Sequence, residues 1–189
     1  MNKHWLDTTL KVRLPIIILV ALIAYTLTFY ISAPERTNVG YQPEQPIPFS
    51  HKLHAGEMKI DCRYCHIGVD KGRHAMVPSV NTCMNCHSRV KTESPHIQKL
   101  TKYYKSETPI PWKRIFRNPD YVYFDHSVHI AKGFDCFQCH GDIASMDVVK
   151  MEKRITMGRC INCHRGEHEE QHGITDEDKG PVNCSSCHR

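Results

Sequence analysis

The 189-residue chain carries 25 Lys and Arg against 20 Asp and Glu, a formal net charge of +5. Three of those basic residues and one of the acidic ones precede residue 34, leaving 22 against 19 beyond it, too even a balance to mark a nucleic-acid partner. Ten cysteines in a chain of this length require a disulfide framework, a metal or a covalently held group, and their spacing decides among these.

Residues 14–33, LPIIILVALIAYTLTFYISA, form an uncharged run of twenty, about enough for a helix to cross the ~30 Å hydrocarbon layer. Pro15 falls in its first turn, where proline is tolerated. Lys3, Lys11 and Arg13 precede the run against Asp7 alone, so the positive-inside rule places the N-terminus in the cytoplasm and everything after Ser32 outside. Trp5 near one end, and Tyr25 and Tyr30 towards the other, suit the interfacial aromatic belts. A cleaved signal peptide has a shorter apolar core, ~7 to 15 residues, and an Ala-x-Ala-like end, of which Ile31-Ser32-Ala33 is a poor version. Residues 1–33 are therefore expected to be a cytoplasmic tip and single-pass anchor. Residues 34–48, with four prolines, a glycine and no helical or strand period, read as a connector.

Beyond the connector every cysteine falls in one of five Cys-x-x-Cys-His boxes: Cys62, Cys65 and His66; Cys83, Cys86 and His87; Cys136, Cys139 and His140; Cys160, Cys163 and His164; Cys184, Cys187 and His188. This pattern reads as covalent attachment of haem c, five in all: two thiols add to the two vinyl groups of one haem, and the adjacent histidine lies beneath the iron as proximal ligand. Zinc knuckles or disulfides would need no histidine directly after the second cysteine in all five cases. Haem c is attached outside the cytoplasm in bacteria, in agreement with the orientation of the anchor. Five haems on residues 34–189 leave no room for an ordinary core, so porphyrin faces must supply much of the buried surface. The fold class expected is small-helical and mostly irregular. Haem propionates, about two per haem, turn such a domain acidic, so its basic pI carries no argument for nucleic acid.

The chain also repeats. Phe49-Ser50-His51-Lys52-Leu53-His54 stands seven residues before the first box, and Phe124-Asp125-His126-Ser127-Val128-His129 stands six before the third. The phenylalanines are offset by 75 residues, the opening boxes by 74 and the next boxes by 77, as two tandem units would be: a dihaem unit with its linker over 49–118 and a trihaem unit over 119–189. Histidines three apart on a helical face have Cβ atoms roughly 5 to 6 Å apart, too close to bind opposite faces of one haem but able to reach two irons. Each Phe is expected to pack on a porphyrin face.

The phrase FSHKLH-x₇-CRYCH is similar to the small class III multihaem cytochromes c, whose paired histidines are distal ligands to the first haem and to another. The run AMVPSVNTCMNCH, then IPWKRIFRNPDYVYFDHSVHIAKGFDCFQCHGDI and MGRCINCH, resembles the membrane-anchored pentahaem cytochrome subunit of alternative complex III, a quinol-oxidising respiratory complex. That resemblance implies His51 and His126 as ligands of the first haem in each unit, opposite His66 and His140. It further implies His54 and His129 as ligands for a neighbouring haem, most simply those of His87 and His164, unless the pairing is shuffled between units. The haem of His188 then needs a partner among His74, Met157, His172, His168 and His96. His74 is favoured, as a fifth histidine outside the boxes in a neighbourhood that matches the family. Met157, three residues before Cys160, would give a His/Met haem of higher potential, although a methionine packed on porphyrin is its ordinary role. His4 lies on the cytoplasmic side.

The function so implied is electron transfer without bond-making chemistry: electrons from quinol oxidation pass to a periplasmic acceptor, beside iron–sulfur and membrane subunits of a larger complex in the inner membrane. A catalytic multihaem reductase of the nitrite type would need an open haem position, commonly signalled by a box that departs from the pattern, and none departs. A membrane-anchored tetrahaem quinol dehydrogenase shares the anchor but not the haem count. A stand-alone electron-storage cytochrome is the remaining alternative. The linker charges Lys99, Lys102, Lys105, Lys113, Arg114 and Arg117 read as solvated or propionate-facing, and Ser94 and Pro95 as N-cap and N1 of a short helix with an Ile97, Leu100 and Tyr104 stripe. The acidic stretch Glu167, Glu169, Glu170, Asp176, Glu177 and Asp178 reads as a solvated loop.

Overall fold

The computed structural model describes residues 7, 9–31, 39–167 and 179–189. The chain divides into two bodies, Met1–Asn38 and Val39–Arg189. In the first, a π-helical turn, Thr9–Arg13, runs into helix α1, Leu14–Ile31. Together they make one helix of 23 residues, long and apolar enough to cross a membrane. The Thr26 and Thr28 hydroxyls donate back to the carbonyls of Ile23 and Ala24, at 2.9 and 2.8 Å, which satisfies them without water.

The second body is small-helical, as the sequence leads one to expect. Its helices are α2 (Cys62–Cys65), α3 (Val80–His87), α4 (Pro95–Lys105), α5 (His126–Ala131), α6 (Cys136–His140), α7 (Met157–Arg165) and α8 (Cys184–Cys187). A π-helical turn, Lys52–Glu57, and a 3-10 turn, Ile143–Ser145, complete them. The described residues contain no strand, only an antiparallel bridge between Val122 and His188.

Caps set where the box helices begin. The Asp61 carboxylate accepts from the Arg63 amide at 2.7 Å, Asp135 and Gln138 form a reciprocal capping box, and the Thr156 hydroxyl accepts from the Arg159 amide at 3.2 Å. In α2, α6 and α8 the first cysteine is the first helical residue, so its partner three positions on lies on the same face, one turn away. Two thiols one helical turn apart are what one porphyrin edge needs.

Apolar burial is scant. Ile47, Leu100 and Ile110 form a small core against which Val80, Met84, Ile97, Tyr103 and Trp112 pack. Helix α4 begins at Ser94 and Pro95 as expected, but its stripe runs through Tyr103, while Tyr104 is 46% exposed. The returning Ile110–Trp112 segment lies on the Tyr103 side of the helix and decides which tyrosine is covered. Part of the proline-rich stretch is docked rather than loose. Gln45 exchanges two 2.9 Å hydrogen bonds with the Lys113 backbone, Lys99 donates to the Pro46 carbonyl at 2.7 Å, and Ile47 enters the core.

Candidate functional site

The two Phe-x-His-x-x-His turns adopt nearly the same geometry. Phe49 meets His51 edge-on at 4.8 Å and 87° and stacks on His54 at 4.4 Å and 26°; Phe124 meets His126 at 4.8 Å and 88° and stacks on His129 at 4.4 Å and 29°. Each phenylalanine thus wedges its own two imidazoles apart. The second imidazole of each turn donates its Nδ1–H to the carbonyl four residues back, His54 to Ser50 at 2.8 Å and His129 to Asp125 at 2.7 Å.

Facing each turn are box histidines. The ring centres of His54 and His87 lie 6.1 Å apart, those of His129 and His164 6.1 Å, and those of His126 and His140 6.4 Å. Two imidazoles bound through Nε2 to one metal between them need roughly 6 Å, from two bonds of about 2 Å and about 1.1 Å from each nitrogen to its ring centre. The spacing fits an iron in each gap. His51 lies beside His66: burial, then the neighbouring imidazoles of His66 and His54, push its pKa down to about 4. The His140 imidazole is likewise brought down to about 4 by burial, then by His126, His66 and Arg159. Neutral imidazoles are what a metal accepts.

Their tautomer is also set. His66 donates Nδ1–H to the Met76 carbonyl at 2.7 Å, His87 to Val90 at 3.1 Å, His126 to Arg73 at 2.6 Å, His164 to Pro181 at 2.7 Å and His188 to Tyr121 at 3.2 Å. A carbonyl only accepts, so Nδ1 is the donor in each ring and Nε2 is the nitrogen turned to where a metal would bind. Met76 turns its carbonyl to His66 from a left-handed conformation, φ 64°.

The boxes adjoin one another through their thiols. Burial raises the Cys83 pKa, with Cys65 the next cause. Burial also raises that of Cys136, aided by Cys62, to which it is hydrogen-bonded. Cys160 is raised by burial, then by Cys139 and Cys187. The neighbours therefore run second box, first, third, fourth, fifth.

Family models match both halves of the chain: "Class III cytochrome C family" over residues 28–110 and "Cytochrome c7 and related cytochrome c" over 122–189. The chain is also 31% identical to the "Menaquinone reductase, multiheme cytochrome c subunit" of Nitratidesulfovibrio vulgaris Hildenborough, in an alignment covering 78% of each protein. It belongs to the class III multihaem cytochromes c. A second relative from the same organism, "High-molecular-weight cytochrome c", is 27% identical over 67% of this cytochrome and 29% of its own length. Membership implies covalently bound haem c, and the cysteine pairs and neutral imidazoles fit that group. Bound there, haem supplies one-electron redox chemistry.

For the fifth box the cytochrome brings Tyr121 beside His188, ring centres 5.8 Å apart. Of the residues expected to complete that haem, His74 and His96 are exposed, Met157 is 69% exposed, and His168 and His172 lie outside the described residues, as does most of the acidic loop. Two arginines escape a reading of the sequence. Arg159 in α7 donates to the carbonyls of Gln138 and Cys139 at 2.5 and 3.4 Å, joining the third and fourth boxes. Arg73 lies over the Tyr123 ring at 4.2 Å. Neither has a sequence signal, because both act on backbone or rings that only the fold brings near.

Proposed function

We propose that this cytochrome is a five-haem electron wire, anchored by α1 with its haem domain on the periplasmic side, within a membrane complex that exchanges electrons with quinone. The observation that carries it is the set of facing imidazoles. With His54 facing His87, His126 facing His140, His129 facing His164 and His51 beside His66, these residues would hold four irons with two imidazoles each and leave none open to substrate. His74 is the proposed partner of His188. It adjoins Arg73, whose guanidinium rests on Tyr123, and the Tyr123 amide donates to the Cys187 carbonyl at 2.8 Å, which brings this segment of the first unit towards the fifth box. The succession of neighbouring thiols supports a wire in the order second, first, third, fourth, fifth.

The protein's own part is to hold. Side-chain caps start the helices of the first, third and fourth boxes, carbonyls hold Nδ1 of His54, His66, His87, His126, His129, His164 and His188, and the Phe wedges set two imidazoles toward two different irons. The alternative complex III-like reading sends electrons from quinol outward to a periplasmic acceptor, past iron–sulfur and membrane subunits. The relative named as a menaquinone reductase subunit favours a second reading, with the same wire carrying electrons inward.

The test is to isolate the native protein in mild detergent, identify what co-purifies, and add a menaquinol analogue while following haem absorbance. Partner subunits and haem reduction support the outward reading. Haems that stay oxidised under quinol, but are reoxidised by the quinone after chemical reduction, support the inward one. A lone monomer sinks the complex.

A further inference from the structure

The repeat is symmetric in its phenylalanines but not in the hydrogen bonds of its first paired histidine. His51 and His126 occupy equivalent positions, yet the His51 Nδ1 is buried without a partner, whereas His126 donates its Nδ1–H to the Arg73 carbonyl, 53 residues upstream. The same loop is tied a second time, by the Ser127 amide to the Gly72 carbonyl at 3.3 Å. No helix or strand holds residues 72–73 there. The Gly68 amide to the Ala75 carbonyl closes the loop that carries them, and the Arg73 guanidinium over the Tyr123 ring ties it to the second unit, with Tyr123 itself fixed through its amide to Cys187.

We propose that Arg73 and Tyr123 are positioning residues for His126: their cation–π contact clamps the Gly72–Arg73 loop so that the Arg73 carbonyl holds the Nδ1 proton of that imidazole. A carbonyl drawing on Nδ1–H makes Nε2 more electron-donating, which stabilises ferric over ferrous iron and lowers the potential. The clamp also fixes the ring plane, within 6° of that of His140. Its place matters, because Cys62 and Cys136 meet at the junction of the two units. In the first unit the corresponding bond falls on the box histidine instead, His66 to the Met76 carbonyl at 2.7 Å, so each of the two sites at the junction has one imidazole held by a carbonyl.

The inference rests on the reading of His126 and His140 as ligands of one haem, and the experiment separates the two. The full-length holoprotein in detergent is studied by redox titration with low-temperature EPR, as wild type and as His126→Ala, Arg73→Ala, Arg73→Lys, Tyr123→Leu and Tyr123→Phe. His126→Ala identifies the third haem by the low-spin signal it removes; if it removes none, the ligand reading fails and this inference with it. Given that signal, Arg73→Ala and Tyr123→Leu are expected to shift its potential upward and alter its shape while the haems of the second and fourth boxes stay in place, and Arg73→Lys and Tyr123→Phe to restore both. With the signal identified, an unchanged third haem in Arg73→Ala and Tyr123→Leu overturns the clamp. So does an equal shift of every haem, which general loosening would give.

Discussion

The imidazoles of His126 and His140 lie within 6° of parallel, whereas those of His54 and His87 cross at 60°. Each imidazole lifts one of the two iron d orbitals that overlap its π system. Parallel rings lift the same orbital and split the pair widely, while steeply crossed rings nearly cancel. The oxidised protein is expected to show a rhombic low-spin signal from the third haem and a far more anisotropic one, with a single large g value, from the second. His129 and His164, at 34°, fall between. Low-temperature EPR of His126→Ala and His54→Ala variants assigns them, and loss of the rhombic signal in His54→Ala would contradict the geometry.

Acid is expected to act late on these sites. With the folded-state pKa of His51 and His140 brought down to about 4, an unfolded chain, whose histidines titrate near the ordinary value of about 6.5, binds more protons than the folded one between those limits. Stability from the neutral imidazoles is complete above the unfolded value and is lost as pH falls through about 4. A pH titration followed by haem absorption should keep its low-spin bands at pH 5.5 and develop high-spin character only in stronger acid. Release of ligands near pH 6.5 would show that burial does not protect these rings.

How much of this was legible in the sequence depends on how local the cause is. Five boxes and two histidine pairs are local patterns, and spacing alone denies histidines three apart the same iron; that His54 should face His87 and His129 face His164 is what the family resemblance implies. The phenylalanines were legible as ring-packing residues but not as wedges between their own imidazoles, because which ring a Phe meets depends on how the turn closes. The choice of Tyr103 over Tyr104 depended on a segment that returns from beyond the helix. The carbonyls of Met76, Arg73 and Pro181 were not legible at all. A backbone acceptor has no residue type, so no spacing announces it, and His126 finds its own 53 residues away.

Gly180 is the place where one carbon should disturb a ligand. A Cβ there would lie 2.6 Å from Cγ and Nδ1 of His164, whose Nδ1–H is bonded to the next residue's carbonyl. Gly180→Ala is expected to cost about 1–3 kcal/mol, as overpacking does. It should also displace the His164 ring, so one low-spin signal changes along with the melting temperature. A drop in melting temperature with all signals intact would mean that the loop, not the ring, gives way.

Arg159 joins two boxes with one side chain. Its guanidinium donates to the carbonyls of Gln138 and Cys139 at the end of α6 while its own amide caps α7 through Thr156, so the third and fourth boxes share a charged hydrogen-bond hub. A positive group at a helix C-terminus is also favourable to the helix dipole. Arg159→Ala leaves two carbonyls without this donor and is expected to cost about 1.5–3 kcal/mol, the range for hydrogen bonds to a charged group. Arg159→Lys can reach one carbonyl but not both in the fixed fork of a guanidinium, so it should recover only part of the loss. Thermal unfolding of the holoprotein measures this. Full recovery by lysine would reduce the role of Arg159 to charge alone, and an unchanged melting temperature in Arg159→Ala would remove it from the joint between the boxes.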